Sequence, residues 1–339
     1  MADESVPRKD PRLGNRHDCY AATDPRTNKE LSQSLKGQNV LVTGAGRGVG
    51  RAIAQFLTHA SAATLTIVAL EQAEVDETAA LCREINPALK TKAVALNVTD
   101  AVAVEKLFKE VESDFGVLDV VVCNAGRPPQ WLSVVDSEPN IWWDTVAVSL
   151  QHAFLFTHYA LPGIQARTDG RRGARFIYTS SSGAQGNRGM SSYVLGKLGQ
   201  VRLAEIVHAE NFEDHGVKAF AYNPGAIKTR FYTDFEDRVE GRAARAGTYV
   251  EEDAPNQDKS AALAVKLLSS QGNWDTPELA AGLVTVLASG KLDFMSGRFA
   301  DASVDVEEYI KNEKQIREED LHRVRLHLEK GKLIPRLDF

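Results

Sequence analysis

Tyr193 and Lys197 stand four residues apart, and Ser180 lies a short loop upstream of them. Side chains at i and i+4 of a helix share one face, so a helix here puts a phenol beside an ammonium. A free phenol ionises near pH ~10 and a free lysine near ~10.4. An adjacent fixed ammonium favours the phenolate and pulls the phenol's pKa down. Such a pair is an acid/base for substrate oxygen near neutral pH. Far upstream, Thr43-Gly-Ala-Gly-Arg-Gly-Val-Gly50 packs four glycines into eight residues. Only a fold brings the two groups together.

The glycine run sits between an apolar segment, Asn39-Val-Leu-Val-Thr43, and a segment of helical period from Arg51 to His59. Strand, glycine turn and helix form the context in which backbone approaches a pyrophosphate and a helix N-terminus receives its charge. The same alternation continues downstream. Leu65 to Leu70, Ala93 to Val98, Leu118 to Val122, Arg175 to Thr179 and Val217 to Tyr222 read as strands. Val75 to Ile85, Val102 to Phe115, Ile141 to Leu161 and the Tyr193 segment read as helices between them. Strands alternating with helices predict an α/β fold, a Rossmann-type doubly wound, mostly parallel sheet with helices on both faces. Thr276 and Pro277 read as the cap and first turn of a later helix, and Phe294 to Phe299 as a last strand.

Four motifs in this order carry a family resemblance. They are the glycine run, Cys123-Asn-Ala-Gly126, the Ser/Tyr/Lys set, and Asn223-Pro-Gly-Ala-Ile-Lys-Thr229. The chain resembles the short-chain dehydrogenase/reductase family from about Lys36 to Ser303. His17-Asp-Cys-Tyr20 followed by Asp24-Pro-Arg resembles the leader of a group of fungal members. The resemblance implies an NAD(P)-dependent oxidoreductase that moves a hydride between a nicotinamide and a ketone or secondary alcohol. Tyr193 would be its acid/base, Lys197 would lower the phenol's pKa and bind the nicotinamide ribose, and Ser180 would orient the substrate oxygen. Counting back without gaps from Tyr193 selects Ser180; a loop one residue shorter would select Ser181. Ser149 stands where relatives carry an asparagine that holds a relay water. A sensing protein that kept the fold without turnover, and a non-redox epimerase or cyclase, are the alternative readings.

The resemblance also assigns the cofactor residues. Gly44, Gly48, Val49 and Gly50 would cradle the pyrophosphate; Asn97, in place of the usual aspartate, and Val98 would meet adenine. Asn124, Ala125 and Gly126 would end a strand beside the cofactor. Pro224 and Gly225 would shape a turn that places Ile227 and Thr229 by the nicotinamide. An arginine beside the adenosine ribose accommodates a 2′-phosphate, and an acid there prefers the free diol. Arg47 is such a cation and Glu71 such an acid. Arg47 tips the expectation to NADP(H) over NAD(H).

Composition bounds the rest. The 339 residues are 43% hydrophobic and 25% charged, with net charge −6. This is an ordinary globular balance without a basic footprint for nucleic acid. No apolar run reaches the ~18 residues of a membrane span, and the charged first residues do not read as a secretory signal. Cys19, Cys82 and Cys123 have no metal or disulfide spacing. The expected setting is cytoplasmic, with no metal. The partners expected are a small, hydrophobic carbonyl or alcohol of secondary metabolism and further copies of the chain, as homodimer or homotetramer. Residues 1–36 read as an arm along the domain, 37–303 as the Rossmann domain with a substrate loop at 230–275, and 304–339 as a charged helical tail. Trp131, Trp142, Trp143, Phe231, Tyr232 and Trp274 are the aromatic candidates for an apolar pocket. His152 and His158 read as packing residues.

Overall fold

The computed structural model describes residues 14–167, 173–186, 188–245, 247–248, 250, 255–268, 274–325, 327–329 and 332–333. Seven parallel strands form one sheet in the order β3-β2-β1-β4-β5-β6-β7. They are β1 (Asn39–Thr43), β2 (Thr64–Ala69), β3 (Lys90–Ala95), β4 (Val120–Cys123), β5 (Arg175–Thr179), β6 (Lys218–Asn223) and β7 (Arg298–Asp301). The order reverses between β1 and β4. In open α/β sheets that switch point, at the carboxyl ends of the strands, is where a crevice opens.

Central strands are buried on both faces, which is why they read as continuous apolar runs. Val40, Val42, Val120 and Val122 face one core with α1 (Gly48–His59), α2 (Gln72–Ile85) and α9 (Pro277–Ser289). Leu41, Val121 and Cys123 face the other, with α3 (Ala101–Phe115), α5 (His152–Gln165) and α6 (Ser191–His215). The period of two along each strand sends neighbouring residues to opposite cores.

Two stretches differ from the sequence reading. The single helix expected at Ile141 to Leu161 is α4 (Pro139–Val146), a π-helical turn (Ala147–Gln151) and α5. The facing helix α6 offers Gly196 against Ser149 and Gly199 against Leu150. The widened turn packs where α6 has no side chains. The segment 230–275 contains α7 (Arg230–Val239) and α8 (Gln257–Leu268). These helices hide under high charge, because salt bridges such as Arg230–Asp234 and Arg238–Asp258 occupy their polar faces. Among the described residues of the tail, helix is confined to α10 (Val306–Lys311) and α11 (Glu313–Glu318). Val306, Tyr309 and Ile316 anchor both to the core.

The arm is held from Gly14 onward. Gly14 and Arg16 donate backbone N–H groups to Ser303, at 3.1 and 2.9 Å. Arg16 pairs with Asp305, and the Tyr20 hydroxyl accepts the Val306 N–H at 2.7 Å. No helix among the described residues is long and apolar enough to cross a membrane.

Candidate active site

The glycine turn joins β1 to α1 by close backbone approach. A Cβ at Gly50 would lie 2.1 Å from the Gly44 carbonyl oxygen, and one at Gly44 would lie 2.8 Å from Ala125 Cα. Neither position admits another residue without displacing the backbone. Arg47 precedes α1 and makes no side-chain cap, so the N-cap side chain leaves the first amides of the helix to other acceptors. Gly48 is exposed, with the Thr229 methyl 3.4 Å from where its Cβ would be. Val49 is half-buried against the core.

Asn124 braces this turn. Its Nδ2 donates to the carbonyls of Thr43 and Gly44, at 3.1 and 3.3 Å. The Thr43 hydroxyl oxygen accepts the N–H groups of Asn124 and Ala125, at 2.9 and 3.0 Å. His152 Nε2 lies 3.0 Å from the same hydroxyl, and its Nδ1 lies 3.1 Å from the Val148 carbonyl. A carbonyl only accepts, so Nδ1 carries the hydrogen and Nε2 accepts from Thr43. Burial pulls the His152 pKa down to about 3, so the ring stays neutral. His152 is therefore a structural keystone of the β1–β4 switch point. Its partner lies 109 residues away in the chain, so the sequence alone shows only a packing residue.

Tyr193 and Lys197 share a face of α6, as their spacing predicts. The Lys197 Nζ is 5.5 Å from the centre of the Tyr193 ring and donates to the Thr179 carbonyl at 2.5 Å. Lys197 is buried, and burial pulls its pKa down to about 7. Burial pushes the Tyr193 phenol up, and a hydrogen bond with Ser181 pulls it back. In the protein without cofactor the direction is thus set by burial of the phenol. A Cβ on Gly126 would lie 3.6 Å from Lys197 Nζ and 3.3 Å from Phe231 Cζ. The end of β4, the amine and Phe231 thus converge on a space reserved by a missing side chain.

The structure gives the two candidate serines different surroundings. The Ser180 N–H bonds the Tyr222 carbonyl and its hydroxyl donates to the Lys197 carbonyl at 2.8 Å. The hydroxyl beside Tyr193 is that of Ser181, which also accepts the Gly183 N–H at 3.0 Å. Ser149 lies in the π-helical turn. It is fully buried, its hydroxyl has no partner among the described residues, and its carbonyl accepts Gln200 Nε2 at 3.0 Å.

On the adenosine side, Asn97 is exposed and its Oδ1 accepts the Thr99 N–H and hydroxyl, at 3.1 and 2.9 Å. Val98 is buried. Arg47 Nη1 pairs with Glu74 Oε1 at 2.8 Å, a partner one turn beyond Glu71 that no local pattern in the sequence marks. On the nicotinamide side, Gly225 has a φ of 100°, a conformation that favours glycine. Ile227 pairs with Asp275 in a parallel bridge, and the Thr229 carbonyl accepts the Tyr232 N–H at 2.9 Å. Of the aromatic candidates, Trp131 and Tyr232 are buried, Tyr232 packs at a tilt against Trp274 with ring centres 5.0 Å apart, and Trp143 is 65% exposed. Trp142 bonds Ser191 at 2.9 Å. No group of metal-ligating side chains occurs among the described residues.

Residues 38–240 match the family model described as short chain dehydrogenase, and the chain belongs to this family. A short chain dehydrogenase of Monascus purpureus, mpl6, is 30% identical over 297 residues, covering 86% of this chain and 89% of the relative. The D-beta-hydroxybutyrate dehydrogenase of Cupriavidus necator is 29% identical over 219 residues, covering 64% of this chain and 80% of the relative. A short-chain dehydrogenase/reductase structure from Burkholderia xenovorans superposes with a TM-score of 0.64. It is 22% identical and covers 79% of this chain and 96% of its own. The protein is an oxidoreductase acting on CH–OH or C=O groups, and its family implies a nicotinamide cofactor. The residues present fit such a dinucleotide: the close-approach glycines, the uncapped start of α1, and the space kept open at Gly126 beside Lys197.

Proposed function

We propose that this protein interconverts a hydrophobic ketone and its secondary alcohol, with Tyr193 as acid/base. The observation that carries this reading is the grouping of Tyr193 with Ser181 and Lys197, whose amine also borders the gap at Gly126. A bound nicotinamide supplies or accepts the hydride. In reduction the Tyr193 hydroxyl gives its proton to the substrate oxygen; its raised pKa keeps it protonated at neutral pH. In oxidation the same oxygen takes the proton back. Ser181 donates to the substrate oxygen and fixes its place beside the phenol, while Ser180 holds the α6 backbone at Lys197. Lys197 favours the phenolate when charged and would bind the nicotinamide ribose. The Ser149 hydroxyl, buried and without a protein partner, would hold a water that returns protons toward Lys197.

Gly44, Gly48, Val49 and Gly50 would receive the pyrophosphate, and Val98 the adenine. Ile227 and Thr229 would flank the nicotinamide. We favour NADP(H). Arg47 and Glu74 are both partly exposed, and such a pair contributes only about 0–1 kcal/mol. A hydrogen bond to a charged group contributes about 1.5–3 kcal/mol, so a 2′-phosphate would draw Arg47 away from Glu74. The exposed Phe154 on α5, with Leu195 and Ile206 on α6, supports association of copies through these helices.

The test is oxidation of NADPH and NADH in the presence of a panel of hydrophobic ketones, diketones and quinones. Turnover with a ketone is expected. Tight NADPH binding without turnover on any carbonyl would favour the sensor reading instead.

A further inference from the structure

His17 Nδ1 lies 2.7 Å from Asp275 Oδ1. A carboxylate only accepts, so this ring nitrogen carries the hydrogen. The Thr276 N–H donates to the His17 carbonyl at 2.9 Å, and the Thr276 hydroxyl donates to Asp18 Oδ1 at 2.6 Å. Two consecutive residues of the arm therefore bind two consecutive residues of the domain. Asp275 passes the contact inward. Its Oδ2 accepts the Ala226 N–H at 2.7 Å, and its own N–H donates to the Ala226 carbonyl at 2.8 Å. A Cβ on Gly225 would lie 2.6 Å from Oδ2, so the turn is moulded on the carboxylate. The Asp275 side chain is fully buried, whereas that of His17 is 40% exposed. One carboxylate thus touches the arm with one oxygen and the Pro224–Thr229 loop with the other. The Thr229 methyl in turn faces the Gly48 turn.

We infer that His17 and Asp275 are positioning residues through which the N-terminal arm sets the loop on the nicotinamide side of the site. The cofactor part of this inference rests on the function proposed above; the loop part does not. A buried carboxylate needs its charge met by hydrogen bonds. His17 helps to meet it from a segment 258 residues away in the chain. Loss of that bond removes one of the contacts that fix the carboxylate, so the carboxylate and the Ala226 amide it accepts can shift together.

The experiment compares full-length protein with His17→Ala and His17→Asn. Asparagine Nδ2 takes the place of imidazole Nδ1, so it is the rescuing variant. Hydrogen exchange of peptides spanning residues 224–229 is followed without cofactor, and affinities for NADPH and for 2′,5′-ADP are measured separately. We expect His17→Ala to speed exchange at the Ala226 amide about tenfold, in line with loss of one charge-assisted hydrogen bond. It should weaken NADPH about tenfold, leave 2′,5′-ADP unchanged, and be largely reversed by His17→Asn. Unchanged exchange in His17→Ala overturns the inference, as does equal weakening of both ligands. Wild-type protein that binds neither NADPH nor NADH overturns the proposed function, while the exchange result still decides the clamp.

Discussion

The Ser180 hydroxyl donates to the Lys197 carbonyl at 2.8 Å, tying the end of β5 to the α6 backbone beneath the amine. Its neighbour Ser181 is left to face the Tyr193 phenol. In extended chain, successive side chains point to opposite sides, so the two hydroxyls cannot share one role. Ser181→Ala is expected to lower turnover at least about tenfold with little change in melting temperature. Ser180→Ala removes a buried hydrogen bond that contributes about 1 kcal/mol. Its main effect is lower thermal stability. Parallel turnover and melting curves for the two variants decide the register; a larger turnover loss at Ser180 would return the role to it.

Tyr193→Phe keeps the ring and removes the transferable proton. Turnover should fall by at least ~10², the scale of general acid–base catalysis. Affinity for the dinucleotide should hold within about twofold, because the phenol is not part of the glycine cradle. Wild-type turnover in this variant would sink the acid/base assignment.

The sheet was legible because central strands are apolar on both faces, as in Leu118 to Val122, and because the glycine run marks the first crossover. The Tyr193 and Lys197 pairing was legible from helical spacing alone. Ser181 was not, since three consecutive serines differ only in which way the chain turns after β5. Glu74, His152 and Asp275 were hidden for another reason. Each acts through a partner distant in sequence, Arg47, Thr43 and His17, and no local pattern encodes such a pair. The helices α7 and α8 were obscured by charge that the fold satisfies with ion pairs.

If the proposed preference for NADP(H) holds, the Arg47–Glu74 pair is where it is set. Arg47→Ala should weaken NADPH by about tenfold or more and leave NADH within about twofold, the loss of one bond to a charged group. Glu74→Gln should have the opposite sense, tightening NADPH by releasing Arg47 and removing a negative charge near the phosphate. Titration of both cofactors against the three proteins checks the pair. Equal responses of NADPH and NADH in both variants would remove the case for NADP(H).

Ser149 offers a test in which stability and activity part company. A buried hydroxyl with no partner is a cost to the fold, and deleting it is neutral or stabilising. A hydroxyl that holds a relay water instead contributes to proton supply. Ser149→Ala is therefore expected to lower turnover several-fold while melting temperature stays level or rises. If turnover is unchanged, Ser149 is a plain packing residue against Gly196.

Lys197 gives a pH signature in the cofactor-free protein. Burial lowers its pKa to about 7 in the folded state, against ~10.4 when unfolded. Between these values the unfolded chain binds the extra proton, so the free energy of unfolding rises with pH. Below about 7 both states are protonated, the slope vanishes, and the full penalty of a buried ammonium weighs on the fold. The clean window is pH 7 to 8, before thiols of the unfolded chain titrate near ~8.5. There the lysine contributes a slope of up to about 1.4 kcal/mol per pH unit. Lys197→Met keeps the length of the side chain and removes the titration. Urea unfolding at pH 6.5, 7.0, 7.5 and 8.0, values set on about half-unit steps around the folded pKa, should give a wild-type stability that climbs relative to the variant. Parallel curves across that window would mean that the amine keeps its proton in the folded protein, and that Lys197 enters catalysis already charged.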